Sequence, residues 1–145
     1  IVPRDGMVPS ATEVKVPDVV DEWVSAPYSR QKYDRVEILN LLAWFDDESA
    51  RRFHALFVDV SAKQQLMIID DIAFKKAKLV DEFIHAANAF SRLRKLVLAA
   101  FFCSPQGTKD IGYLGNSPIA GDWPGPTEEA MDHLAKELDK LGLSL

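Results

Sequence analysis

Apolar residues recur at Phe83, Ala87, Phe90, Leu93, Val97 and Phe101, three or four positions apart, and then the pattern stops. That spacing predicts one long amphipathic helix over 79–102. Near its end, from Leu96 to Phe102, the helix is apolar on every side, so that end must be covered from several directions. Over 103–126 five glycines (107, 112, 115, 121, 125) and four prolines (105, 118, 124, 126) replace the periodicity. Loops longer than roughly 12–15 residues are uncommon and usually functional. With this much Pro, the segment is expected to be ordered, unlike a Gly/Ser linker.

The chain before it is expected to run helix after helix behind an extended arm. Residues 1–16, with Pro3, Gly6 and Pro9, lack a period and are expected as an extended arm. Pro17 suits the first turn of a short helix carrying Val16, Val19, Val20 and Trp23, with Asp18 and Asp21 at its positive end. Ser29 is expected to cap a helix over 30–46 with Ile38, Leu41, Leu42 and Phe45 inward. Asp46 or Asp47 would cap a further short helix through Phe53, and Leu56 to Val60 would follow as an apolar link. Ser61 and Gln64 form a capping box for a helix burying Leu66, Ile69, Ile72 and Ala73 and exposing Asp70 and Asp71. Thr127 caps a last amphipathic helix over 127–141 through Met131, Leu134, Leu138 and Leu141, with Gly142 as its stop. The expected fold is mainly α, a single-domain bundle of five to six helices over 1–145.

Charge excludes one class of partner. The net charge of -5 opposes nucleic acid, which needs clustered Lys and Arg, and Lys75-Lys76-Ala77-Lys78 is too short to reverse this. The longest apolar run, Leu96 to Cys103, falls far short of the roughly 20 residues of a membrane helix. A single cysteine, Cys103, allows no internal disulfide and is expected as a small buried hydrophobe.

No catalytic constellation emerges from the residues. Glu82 and His85 form one Glu-x-x-His unit, but a helical di-iron site needs two such units and two further glutamates. His54, His85 and His133 lie on separate segments, and Asp70-Asp71 and Asp46-Asp47-Glu48 suit caps and solvated faces. Ser104 and Ser117 lack a nucleophile elbow, and Cys103 has no nearby His. The 105–109 stretch lacks phosphate-loop spacing, and no dinucleotide fingerprint follows a strand. What remains is Phe101, Phe102, Ile111, Tyr113, Leu114 and Trp123. These can fold back over the long helix or cover a partner, since interfaces favour Tyr and Trp.

Ile1-Val2-Pro3-Arg4-Asp5 and Pro9-Ser10-Ala11-Thr12-Glu13 resemble the opening arm of the gluconate 2-dehydrogenase subunit 3 family. Phe101-Phe102-Cys103-Ser104 and Gly112-Tyr113-Leu114-Gly115-Asn116 resemble its Gly-Phe-Tyr-Ser segment and Gly-Tyr-x-Gly-Asn turn. Residues 41–46 and 57–72 are similar to its middle helices, so the likeness covers essentially the whole chain. Ser10 stands where the family often has Gly, and Cys103 where a hydroxyl residue is usual.

The resemblance implies a non-catalytic small subunit without a cofactor of its own. Its partner would be a large FAD flavoprotein of the glucose–methanol–choline (GMC) type that oxidises a sugar, often joined by a c-type cytochrome. The small subunit would escort that flavoprotein through twin-arginine (Tat) export to the periplasm and stay bound. The expected docking surface is the 101–126 loop with the N-terminal arm. The competing expectations are a sugar-active lyase or hydrolase using Glu82, His85 and Asp110, and a metal-binding helical bundle.

Overall fold

A computed structural model describes residues 1–74, 83–113, 115 and 120–144. It is mainly α, as expected, with six helices and no strand among the described residues. These are α1 (Val16–Ser25), α2 (Ser29–Phe53), α3 (Ala62–Ala73), α4 (Ile84–Phe102), α5 (Pro105–Asp110) and α6 (Glu128–Lys140). The chain forms two compact units, Ile1–Tyr113 with α1 to α5 and Leu114–Leu145 with α6.

Three helix assignments differ from the sequence expectation. One continuous α2 replaces the two helices expected over 30–53, and it is the longest helix among the described residues. No Gly or Pro interrupts 28–53, and two of the three acids that suggested a break find partners with the helix unbroken. Glu48 is buried and accepts from Arg51 Nε at 2.9 Å, while Asp46 Oδ1 accepts from Phe57 N at 3.0 Å, eleven residues on. Ser29 is the first residue of α2 rather than its cap; Tyr28 holds that position without a side-chain hydrogen bond. The helix stops at His54, which takes the left-handed conformation (φ 58) and donates its N–H to Ala50 O at 3.0 Å. Finally, α5 occupies part of the expected loop. Residues 79–82, the expected start of the long helix, lie outside the described residues.

The capping box of α3 forms as expected: Ser61 Oγ accepts from Gln64 N, and Gln64 Oε1 accepts from Ser61 N at 3.0 Å. Its buried face differs. Ile68 and Ile72 are fully buried, whereas Leu66 is exposed and Asp71 pairs with Arg52 at 2.8 Å. The apolar link 56–60 forms no strand; Phe57 turns into the core and stacks on Phe45 at 4.5 Å. Its carbonyl accepts from Gln65 Nε2 at 2.8 Å, so side chains supply the partners that a strand would have found.

In the first unit α4 packs against α1, α2, α3 and α5. Two apolar clusters lie along it. Leu41, Phe45, Ile68, Ile72, Ala86, Ala89 and Phe90 join α2, α3 and the first half of α4. Ala11, Val16 and Phe101 close the far end, with Val2, Val8, Val97 and Phe102 around them. The N-terminal arm therefore folds back as a cover. A two-residue turn at Gly6-Met7 pairs Asp5 with Val8, and Ala11 N donates to Val2 O at 3.0 Å.

Three carboxylates are held below their usual range. Hydrogen bonds from Arg4 and Ser10 lower Glu13 to about 2. Asp34 is lowered by Arg92, whose hydrogen bonds outweigh burial, with help from Trp23. For Glu48, burial raises the value most, but Arg51 and Arg52 together overcome it and leave it lowered. A depressed folded value stabilises the protein above the unfolded value of roughly 4 and loses that stabilisation as pH falls through the folded value. Melting temperature should therefore be flat above about pH 5 and fall steeply between about pH 4 and 2. A thermal melt series would contradict this if stability rose on acidification.

Candidate partner-docking surface

The apolar end of α4 was expected to meet the loop after it. The structure assigns that cover mainly to the arm. Phe101 is 1% exposed and packs on Ala11 and Val16, so it presents no surface to a partner. Phe102 is half-buried in the same cluster, its ring edge-on to Phe101 at 5.3 Å. Phe101 thus serves the fold, while Phe102 packs there and keeps part of its surface accessible.

Ser104 reverses the chain. Its Oγ donates to Phe101 O at 2.6 Å and accepts from Gly107 N at 3.1 Å, which ends α4 and caps α5 together. Pro105 sits in the first turn of α5, where its missing N–H costs nothing. Gly107 lies directly against α4: a Cβ there would come within 2.1 Å of Phe101 O. Beyond α5, Gly112 adopts φ 63 and Tyr113 N donates to Thr108 O at 2.9 Å. Ile111 and Tyr113, each 58% exposed, are thus held on a hydrogen-bonded turn. Leu114 lies outside the described residues. Trp123 belongs to the second unit and is 70% exposed. Of the six expected docking residues, Ile111, Tyr113 and Trp123 are exposed.

Sequence reasoning missed two apolar grooves flanking α1. One, of about 390 Å³, runs between the arm, α1, α2 and α4 and is lined by Val20, Ile38, Leu39, Leu42 and Val97. The other, of about 460 Å³, lies between α1 and α4, with Val19, Trp23, Leu96 and Ala99 inside and Lys95 in its lining. Cys103 is exposed in this second groove instead of buried. A signal was present: Leu42, expected inward, is exposed and lines the first groove, and with Val36 and Leu39 it widens the apolar side of α2 beyond its buried stripe.

A buried ionic node fixes α1 between these grooves. Asp34 on α2 is 0% exposed. Its Oδ1 accepts from Arg92 Nε at 2.7 Å, and its Oδ2 accepts from Arg92 Nη2 at 2.5 Å and from Trp23 Nε1 at 2.9 Å. Three helices meet at one carboxylate. The planar fork of Arg92 matches the carboxylate in a bidentate pair.

The remaining candidates stay apart. His85 lines a hollow of about 220 Å³ with Glu37, Asn40 and Trp44, near the start of α4. Asp110 ends α5, at the other end of α4. At 1.5 Å per residue, about 24 Å of helix separates position 85 from position 101, beside which α5 lies. Glu82 is outside the described residues. Among the described residues, no three His, Cys, Asp or Glu side chains gather within reach of a metal ion, and no helix is long and apolar enough to cross a membrane.

Fold and surface together define a class: a mainly helical protein whose accessible chemistry is apolar groove and aromatic turn. The chain belongs to the gluconate 2-dehydrogenase subunit 3 family, whose model matches residues 1–125. No curated protein and no solved structure matches the chain.

Proposed function

We propose that this chain is the non-catalytic small subunit of a sugar dehydrogenase complex, bound to a large FAD-carrying subunit of the GMC type. The family match over 1–125 carries this reading. The two grooves beside α1 and the exposed pair Ile111 and Tyr113 support it, because a binding subunit needs accessible apolar surface on a rigid frame. In this reading the subunit stabilises the flavoprotein, accompanies it through Tat export and remains with it in the periplasm. A c-type cytochrome would be a further member of the complex. Sugar specificity would reside in the flavoprotein pocket.

Co-expression with the dehydrogenase large subunit, followed by affinity capture and size-exclusion chromatography, tests the reading. A stoichiometric, FAD-containing complex is expected; two separately eluting proteins would contradict it. In that complex, Ile111→Ala combined with Tyr113→Ala should weaken binding by about tenfold or more, because exposed aromatic anchors dominate interfaces. The melting temperature of the free subunit should change by only about 2 °C, since exposed substitutions usually alter stability by about 0.5 kcal/mol or less. A large melting change with unaltered affinity would assign both side chains to the fold alone.

A further inference from the structure

The second unit contains α6, which begins after the 1–125 family match ends. It is a well-made helix: Thr127 Oγ1 accepts from Ala130 N at 3.2 Å, Glu128 and Glu129 occupy the first turn, and Lys140 the last. Met131, Leu134, Leu138 and Leu141 follow a three–four–three spacing and share one side. Yet none of these side chains is fully buried: Leu138 is half-buried, whereas Met131, Leu134 and Leu141 stay exposed.

The charges around the stripe are ordered. At about 100° per residue, Glu128 and Asp139 follow one border and Glu137 the other, while Glu129, Asp132, Lys136 and Lys140 fall toward the opposite side. Lys140 reaches back to Glu137 at 2.6 Å, which leaves the Glu128–Asp139 border the more strongly negative. Five carboxylates oppose two lysines over 128–140. A surface complementary to this helix is an apolar groove with a basic rim.

A second copy of the chain is a poor occupant for the stripe. Two such helices would bring together surfaces that are both acidic. A 13-residue helix about 20 Å long would also bury far less than the roughly 800 Å² per partner of a stable interface. Added to a larger interface, the same helix contributes both affinity and selectivity.

We propose that α6 is a docking helix that inserts its Met131–Leu141 stripe into a Lys/Arg-rimmed apolar groove on the large dehydrogenase subunit. This rests on the accessory-subunit reading above. Because α6 lies beyond the matched family region, it is suited to distinguishing one dehydrogenase from another.

The test uses full-length chains and the separately produced large subunit. Wild type, Leu134→Ser with Leu138→Ser, and Glu128→Lys with Asp139→Lys are compared by titration at low and high salt, with a melt of each free chain. Each variant should raise Kd by about tenfold or more, and the lysine variant's defect should shrink at high salt, where charge contributes less. Melting temperatures should stay within about 2 °C of wild type. Wild-type binding with unchanged Kd in both variants would overturn the proposal while leaving the accessory reading intact. A lower melting temperature with unchanged Kd, or α6-dependent dimers by light scattering, would also overturn it. If wild type itself does not bind, the accessory reading falls and this proposal with it.

Discussion

Arg92→Ala should lower the melting temperature by roughly 10 °C, more than any surface substitution in this protein. The loss does not come from one missing surface ion pair, which is worth about 1 kcal/mol or less. Asp34 is fully buried, and without Arg92 its charge would keep only the Trp23 indole and Arg30, whose Nε stands 3.6 Å away. Breaking a buried pair typically costs about 3–5 kcal/mol because the remaining charge is left uncompensated. Since Arg92 itself is partly exposed, at 23%, water can enter the space it vacates, and we expect the lower end, about 3 kcal/mol. Trp23→Phe should cost about 1 kcal/mol, the net worth of one hydrogen bond. The discriminating measurement is the double variant Asp34→Ala with Arg92→Ala. It should be less destabilised than the two single losses combined, because no lone charge remains inside. Strict additivity would mean that the two side chains act separately.

Gly107→Ala is the second large effect, and its cause is steric. The added Cβ would sit 2.1 Å from the Phe101 carbonyl oxygen and 2.8 Å from Phe102 Cα, both backbone atoms that cannot rotate away. Either α5 separates from the end of α4, or the Ser104 cap that joins them opens. Overpacking of this kind costs typically about 1–3 kcal/mol, and a backbone obstacle places it at about 3 kcal/mol or above. The expected drop in melting temperature is again roughly 10 °C. Ile111 and Tyr113 ride on the same turn, so partner affinity should fall together with stability. A variant as stable as wild type would show that α5 is not seated on α4 as described. Gly112→Ala offers a contrast: no atom lies within 4 Å of its added Cβ, and only the positive φ resists it, at about 1–2 kcal/mol.

Local signals were legible wherever a few neighbouring residues settle the outcome. The Ser61–Gln64 box, the Thr127 cap, Pro17 in a first turn, and the amphipathic 127–141 segment all depend on contacts within about one helical turn. Errors arose where a long-range partner changed the meaning of a residue. Asp46 resembled a cap until Phe57 supplied its N–H from eleven residues away. Glu48 resembled a solvated acid until Arg51 and Arg52 closed over it. Leu66 and Ile68 exchanged roles because the helical period defines an apolar side without saying which edge of it meets α4.

The candidate surface follows the same division. Composition and pattern alone determined that the chain is mainly helical and that the end of the 83–101 stripe needs a cover. They could not determine what provides that cover. The arm does so, roughly ninety residues earlier in the chain, through Ala11 and Val16 against Phe101. Burial is a property of pairs of distant segments, whereas periodicity records only the preference of one. For the same reason Phe101 looked like a docking residue, and the grooves beside α1 like nothing at all, until α1, α2 and α4 were brought together around Asp34.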